Sequence, residues 1–260
     1  MVIDIFQVDA FANENFKGNP AAVCPLPKPL SDSLMQLIAM ENNLSETAFY
    51  YPLDSGDFHL RWFTPIMEVE LCGHATLAAA HVIFKEMIHP HGSICFQTKS
   101  GPLIVKQERD SFVMDLPANP QPLIKTPAGL EDALGAKIVA CYEGTDLLVV
   151  VDGEETVRNM IPNYNTLLKI NYRGYLVTAK GEKVDFVSRC FFPKAGINED
   201  PVTGSAHTKL VPYWTNILNK KSFIAHQISS RGGVLNCELT GDRVLLKGQT
   251  SLYLRGQIYI

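Results

Sequence analysis

The sequence lacks the motifs that mark most metal, nucleotide and serine-nucleophile enzymes. It has no HExxH, no phosphate-binding P-loop and no GxGxxG. Ser205 lies in the segment TGSAH, which does not match the GxSxG of serine hydrolases. The six cysteines are widely separated and form no CxxC, which favours free thiols in a reducing compartment over disulfides. The sequence therefore predicts no metal site and no disulfide framework.

Charge of one sign and long apolar runs are also scarce. The net charge is −4 and no segment is strongly basic, so neither nucleic acid nor an anionic membrane is expected as a partner. The most apolar uncharged stretch, Leu71–Phe84, is too short to span a bilayer and contains two histidines. The first residues show no basic region followed by an apolar run. We therefore expect a cytoplasmic protein.

What the chain does contain is a series of short apolar runs separated by turn residues, with 46% apolar residues in 260. This composition supports a folded core. Helices are predicted over Leu30–Met40, with Ser31 as N-cap, over Gly73–Lys85 and from about Gly204 onward. Strands outnumber helices, and helices do not follow every strand, which favours an α+β fold over a doubly wound parallel sheet.

A proline-rich segment near mid-chain, residues 119–127, is the best candidate boundary between two halves. It predicts an N-terminal half of residues 1–118 and a C-terminal half of residues 119–260, with the last strand free to join the first half. A faint duplication supports this division. Arg61–Pro65 is followed after eight residues by Gly73, and Arg189–Pro193 is followed after eleven residues by Gly204, and each glycine begins a helix.

Three positions are candidates for chemistry on their own merits. Gly73 and Gly204 begin helices, where exposed backbone N–H groups and the helix dipole can hold a carboxylate without arginine; close helix packing is the alternative explanation for these glycines. Glu46 stands between a predicted helix and an apolar strand, where a half-buried carboxyl would suit a general acid/base. A solvated glutamate at a strand edge remains the alternative for Glu46, and a surface histidine remains the alternative for His74.

Five segments together carry a family resemblance. They occur in the order Gly18–Val23 (GNPAAV), Leu44–Phe49 (LSETAF), Arg61–Pro65 (RWFTP), Cys72–Thr76 (CGHAT) and Glu199–His207 (EDPVTGSAH). With these segments the chain resembles the PhzF-type (phenazine-biosynthesis-like) isomerase family almost to its C-terminus. The resemblance implies the diaminopimelate-epimerase-like fold, in which two similar halves each wrap a barrel-like, mostly antiparallel sheet around a central helix. It also implies a homodimer that needs no cofactor.

The resemblance further implies what the matching residues do. Glu46 matches the acid/base that moves a proton on a small carboxylic acid, and His74, Asp200 and Ser205 match residues that line the same cleft between the halves. Gly73 and Gly204 match the helix starts that hold the substrate. We therefore expect a cofactor-independent isomerase, with Glu46, Asp200 and His74 as catalytic residues.

Two other functions remain open from the sequence. Related epimerases place a cysteine before each helix start, and here Cys72 matches the first position while Thr203 replaces the second. A two-thiol epimerase or racemase of an amino-acid-like substrate is therefore the less favoured alternative, with Cys72 expected to be a buried bystander. A non-catalytic protein that binds small acids on the same scaffold is the other.

Overall fold

A computed structural model describes all 260 residues of the chain. The chain divides into two compact units. Unit 1 contains Met1–Leu116 and Leu245–Ile260, and unit 2 contains Pro117–Val244. The last strand, whose place the sequence left open, contributes most of its residues to unit 1.

The chain forms seventeen strands and six α-helices. The strands are β1 (Val2–Ala10), β2 (Asn19–Pro25), β3 (Glu46–Pro52), β4 (Phe58–Phe63), β5 (Glu68–Val69), β6 (Ser93–Thr98), β7 (Gly101–Glu108), β8 (Ser111–Pro117), β9 (Leu123–Ile124), β10 (Ala140–Tyr142), β11 (Asp146–Val150), β12 (Gly174–Lys180), β13 (Phe186–Phe192), β14 (Ile197–Asp200), β15 (Ser222–Gln227), β16 (Gly233–Thr240) and β17 (Arg243–Tyr259). The helices are α1 (Asp32–Asn42), α2 (Gly73–His81), α3 (Leu130–Leu134), α4 (Glu154–Asn159), α5 (Tyr164–Leu167) and α6 (Gly204–Leu218).

Unit 1 is a barrel closed around one helix. Its strands pair in the cyclic order β1-β2-β3-β4-β6-β7-β8-β17, and β17 returns to β1. Only the β2–β3 and β4–β6 pairs are parallel. Every residue of α2 is buried, and the helix packs against β1, β2 and β3. The alanine-rich sequence of α2 suits this central position, because small side chains let the strands approach the helix closely.

Unit 2 arranges its strands in the same way. β10 pairs with β11, β11 runs parallel to β12, β12 pairs with β13, β13 runs parallel to β15, and β15 pairs with β16. Its long helix α6 packs against β16. Trp214 of α6 stacks on Phe186 of β13 at 5.6 Å between ring centroids, and its indole N–H donates to Thr178 Oγ1 of β12. The predicted α+β fold with two similar barrel-like halves is confirmed.

The duplication extends to strand register. Arg61 lies opposite Phe49 in unit 1, and Arg189 lies opposite Val177 in unit 2. From Glu68 in unit 1 and Glu199 in unit 2, each helix start follows after the same number of residues. The three additional residues of the second half therefore lie before Glu199, where a short 3₁₀ turn, Pro193–Ala195, joins β13 to β14.

Several local expectations are confirmed and others are changed. The side chain of Ser31 accepts the N–H of Leu34 and caps α1. The helix expected over Gly73–Lys85 is α-helical only to His81 and continues as a π-helical turn over Val82–Glu86. The sequence has two apolar runs near its C-terminal end, at 242–248 and 251–259, and both belong to the single strand β17. None of the helices combines the length and the apolar character that a membrane span requires.

Candidate active site

Glu46 and His74 form a buried acid–imidazole pair in unit 1. Glu46 is the first residue of β3, and His74 is the second residue of the central helix α2. Glu46 Oε2 lies 3.2 Å from His74 Nε2, and the two side chains are only 12% and 4% exposed. Neither of these two atoms has a well-formed hydrogen bond to a protein group. Buried polar atoms without such a partner are rare in folded proteins and frequently mark functional positions.

The surroundings of the pair favour a charged imidazole. Burial alone disfavours the charged form, but the Cys72 sulfur and the Glu46 carboxylate outweigh burial and hold the pKa of His74 well above its usual range. Burial, followed by the Glu46 charge, raises the pKa of the Cys72 thiol to about 11. Cys72 is therefore a neutral thiol near pH 7, so Glu46 is the group we regard as stabilising the imidazolium.

Two side chains fix the other edge of the imidazole ring. Asn19 Nδ2 lies 3.2 Å from His74 Nδ1, and Cys72 Sγ lies 3.5 Å from the same nitrogen. With the amide turned over, Asn19 Oδ1 takes the place of Nδ2 and accepts the Nδ1–H of the charged ring. Asn19 is fully buried at the start of β2. The ring is thus held from behind while Nε2 faces Glu46, an arrangement in which a neighbouring group sets the orientation of a catalytic histidine.

Glu46, Cys72 and His74 are also of a type that binds metals. Their ligand atoms all lie within 4.8 Å of one another, a cluster that residue spacing along the sequence does not reveal. A thiol must lose its proton to bind a metal ion, and the raised pKa of Cys72 opposes that loss. The donor set therefore fits a metal ion less well than it fits proton transfer.

In unit 2, Asp200 and Thr203 are held together in front of helix α6. Asp200 ends β14 and is 7% exposed, and the Thr203 hydroxyl donates to Asp200 Oδ2 at 2.5 Å. Gln227, fully buried at the end of β15, accepts the Thr203 N–H at 2.8 Å. The Gln227 amide nitrogen donates to the Asp200 carbonyl oxygen at 2.8 Å and to Thr203 Oγ1 at 3.1 Å.

The two helix starts have matching backbones. The residue before Gly73, Cys72, has φ −142° and ψ 107°, and the residue before Gly204, Thr203, has φ −112° and ψ 96°. In neither helix does this residue cap the first turn with its side chain. The first N–H groups of α2 and α6 are thus not used by the local cap that most helices have. Ser205, half-buried in the first turn of α6, adds a hydroxyl there.

The catalytic candidates occupy positions that differ between the units. In unit 1 the strand residue opposite Arg61 is Phe49, and Glu46 lies three residues before it. In unit 2 the strand residue opposite Arg189 is Val177, and Gly174 lies three residues before it. A Cβ atom at Gly174 would lie 2.2 Å from the ring of Phe192, so that ring covers the position where an acidic side chain would begin. Conversely, the position held by Asp200 in unit 2 is held by Val69 in unit 1. Each carboxylate is therefore present once.

The class of protein follows from fold and relatives together. A family model for phenazine biosynthesis-like proteins matches residues 8–257. An uncharacterized isomerase of Pseudomonas aeruginosa is 49% identical over the full length of both chains. A crystal structure of a PhzF-family protein from Enterococcus faecalis has a TM-score of 0.97 and 46% identity, also over the whole of both chains.

More distant structures share the fold alone. A hydroxyproline epimerase from Agrobacterium vitis has a TM-score of 0.67 at 12% identity, covering 99% of this chain and 92% of its own. The architecture is therefore that of the diaminopimelate-epimerase-like isomerases and epimerases. The chain belongs to the PhzF, or phenazine biosynthesis-like, family, and it is an enzyme of the isomerase class.

The structure groups the predicted site residues by unit. It brings together Glu46, Gly73 and His74 in unit 1, and Asp200, Gly204 and Ser205 in unit 2. Sequence reasoning missed Asn19 and Gln227. Asn19 lies within one of the family segments and could have been noticed as a polar residue before an apolar strand. Gln227 had no comparable signal, because its partners are distant in the sequence.

Proposed function

We propose that this protein is a cofactor-independent isomerase that moves a proton within a small carboxylic acid bound in the cleft expected between the two halves. The observation that carries the proposal is the buried Glu46–His74 pair, with Oε2 and Nε2 at 3.2 Å and neither atom well hydrogen-bonded. A carboxylate that transfers a proton must lie within reach of a substrate C–H, and a neighbouring group must stabilise its negative charge.

The reaction needs no electron acceptor. The Glu46 carboxylate takes a proton from one carbon of the substrate, and the C–H electron pair stays in the conjugated system of the acid. The same carboxyl then returns the proton to a second carbon and becomes a carboxylate again. The His74 imidazolium balances the charge of the ionised Glu46, and Asp200 orients a polar group of the substrate.

The substrate carboxylate is assigned to the helix starts. The N–H groups at Gly73 and Gly204 and the Ser205 hydroxyl supply donors, and the positive end of each helix dipole favours an anion. This assignment predicts that a crystal grown in sulfate or citrate holds an anion at these N–H groups. Both starts must contact the same anion if they serve one substrate; an anion bound by one start alone would contradict a shared site.

Solvent exchange tests the proposal across a range of acids that the site could accept. The protein in D₂O is given a panel of small β,γ-unsaturated acids and α-amino acids, and deuterium uptake is followed by NMR. We expect uptake with a shifted double bond in at least one unsaturated acid, and none with Glu46→Gln. Binding of an acid with neither deuterium uptake nor a shifted double bond would instead indicate the non-catalytic binding protein.

Epimerization is the second candidate, and Cys72 is the residue that tests it. Thr203 replaces the second thiol, and burial raises the pKa of Cys72 to about 11, which opposes thiolate chemistry. We expect Cys72→Ser to keep turnover well above that of Glu46→Gln. If the two variants are equally inactive, or if deuterium enters an α-amino acid with inversion, the thiol-dependent epimerase is favoured.

The resemblance also leads us to propose a homodimer, and the widely separated cysteines lead us to propose a cytoplasmic location. Sedimentation equilibrium at several protein concentrations tests the assembly, with a mass of twice 28.8 kDa expected. A single species at 28.8 kDa would contradict it.

A further inference from the structure

Gln227 lies in a hydrogen-bond network whose direction can be read without ambiguity. Its amide oxygen accepts the backbone N–H of Thr203, and its amide nitrogen donates to the backbone oxygen of Asp200. Because a backbone N–H can only donate and a carbonyl oxygen can only accept, these two bonds fix which end of the amide is which.

The orientation of the amide determines the orientation of the Thr203 hydroxyl. The nitrogen of Gln227 also lies 3.1 Å from Thr203 Oγ1 and can only donate to it. The single hydroxyl hydrogen of Thr203 is then left for Asp200 Oδ2, 2.5 Å away. Gln227 thus holds the hydroxyl so that it donates to the carboxylate and keeps that oxygen an acceptor.

Comparison with unit 1 separates this network from general structural support. Both units have a serine, Ser100 or Ser229, that donates at 2.7 Å to the backbone oxygen three residues before the helix-start glycine. That support is duplicated. The position of Gln227 is held in unit 1 by Thr98, which donates instead to Gly101 within its own hairpin.

The three members of the network therefore change together between the units. Unit 1 has valine, cysteine and threonine where unit 2 has Asp200, Thr203 and Gln227. Helix α2 begins with a matching backbone without any of these contacts, so the network is not needed to start a helix. It is present in the unit that carries the aspartate.

We propose that Gln227 is a positioning residue of the active site, which acts through the Thr203 hydroxyl to fix the Asp200 carboxylate in the reaction proposed above; the inference rests on that reaction. Gln227 itself touches no reacting atom in this assignment. Its effect on turnover passes through Thr203, which makes it distinguishable from a contribution to folding alone.

A double-mutant cycle tests the inference. Deuterium uptake is measured for Gln227→Met, Thr203→Val and the double variant, with the acid that exchanges fastest with the wild-type protein. We expect each single variant to lose on the order of 10²-fold in rate, the loss typical of a misplaced catalytic group. The double variant should be nearly as active as the slower single variant, because both changes interrupt the same relay. Thermal unfolding identifies any variant that fails to fold, and Thr203→Ser, which keeps the hydroxyl, should recover most of the rate.

Thr98→Val is the matched control in unit 1, and we expect its uptake rate to stay at the wild-type level. Two outcomes would overturn the role of Gln227 while leaving the proposed reaction intact. One is a double variant whose loss in rate equals the product of the two single losses. The other is wild-type uptake by folded Gln227→Met while Glu46→Gln is inactive. Absence of both uptake and a shifted double bond in the wild-type protein with every acid would overturn the reaction and the inference together.

Discussion

The two units use the same ion pair but not the same acids. Arg61 binds Glu68 through Nε and Nη2 at 2.7 and 2.8 Å, and Arg189 binds Glu199 through the same atoms at the same distances. Each guanidinium also lies 5.1 Å from the ring centroid of the phenylalanine two residues further on. Glu46, by contrast, has no acidic counterpart.

This contrast helps to separate scaffold from site. Where duplicated halves retain an interaction, the interaction serves a need common to both, here the connection between β4 and β5 and between β13 and β14. Where they differ, the residue serves something that only one half supplies. The R-x-F-x-P repeat noticed in the sequence belongs to the first kind, whereas Glu46 and Asp200 belong to the second.

The largest expected effect comes from replacing Glu46, whose matching position in unit 2 has no acid. Glu46→Gln keeps the size of the side chain but cannot cycle a proton, so turnover should fall by at least about 10²–10⁴, the usual contribution of acid/base catalysis. Binding of substrate should survive, because the helix starts are unchanged. Isothermal titration and deuterium uptake on one preparation measure both. Glu41→Gln, exposed on α1, is the control, and comparable turnover in both variants would remove Glu46 from the mechanism.

Next in size is a difference between the two shared ion pairs. Arg189 also donates to the carbonyl oxygens of Val157 and Met160, whereas Glu68 keeps a second partner, Lys99, when Arg61 is removed. Arg189→Met should therefore lower the free energy of unfolding by about 3 kcal/mol, near the cost of breaking a largely buried pair, and Arg61→Met by less. Urea denaturation measures both; an equal or reversed order would contradict the asymmetry.

A smaller loss of stability is expected from a substitution at Gly174, the position in unit 2 that matches Glu46. Gly174→Ala places a methyl group against the Phe192 ring and should cost about 1–3 kcal/mol of stability, as overpacking does. Phe192→Thr introduces the residue that unit 1 has at the matching position, Thr64. In the double variant it should remove most of the destabilisation caused by Gly174→Ala. Thermal and urea unfolding of the four proteins test this, and additive losses would show that the ring is not the obstacle.

The smallest expected effect concerns two buried histidines whose pKa values are shifted in opposite directions. Burial lowers the pKa of His207 to about 4, although the Thr203 carbonyl acts in the opposite direction. The unfolded chain therefore binds a proton that the folded chain does not, and stability is lost as pH falls below about 6.5. His74, whose pKa is raised, adds stability below about 6.5 that is lost as pH rises through its folded-state value.

Unfolding free energies at a mildly acidic pH of about 5.5 and at about 7.5 separate the two histidines. His207→Gln should reduce the acid-induced loss of stability by about 1 kcal/mol over this interval. His74→Gln should increase that loss instead, because it removes a group that favours the folded state in acid. The same change in slope from both substitutions would refute the opposite assignments.

Local chemistry made much of this molecule predictable. The N-cap at Ser31, the glycine helix starts and the repeated arginine motif each depend on a few consecutive residues, so the sequence alone reveals them. Gln227 and the counterpart of Glu46 at Gly174 were not predictable, because both follow from register between strands that are far apart in the sequence. The single strand β17 was equally hard to predict, since polar residues at 249–251 interrupt its apolar pattern without ending its pairing with β1.

β17 has a consequence for the order in which the protein is made. Unit 1 is discontinuous, because its barrel closes only when β17 pairs with β1 at the opposite end of the chain, where Ile260 also bonds to Met1. Unit 2 is a single continuous segment that lies between those two parts. During synthesis, unit 2 therefore has most of its strands available while unit 1 still lacks its closing strand. Unit 1 is therefore begun before unit 2 but completed after it, and the edge of β1 that pairs with β17 stays exposed until β17 has been made.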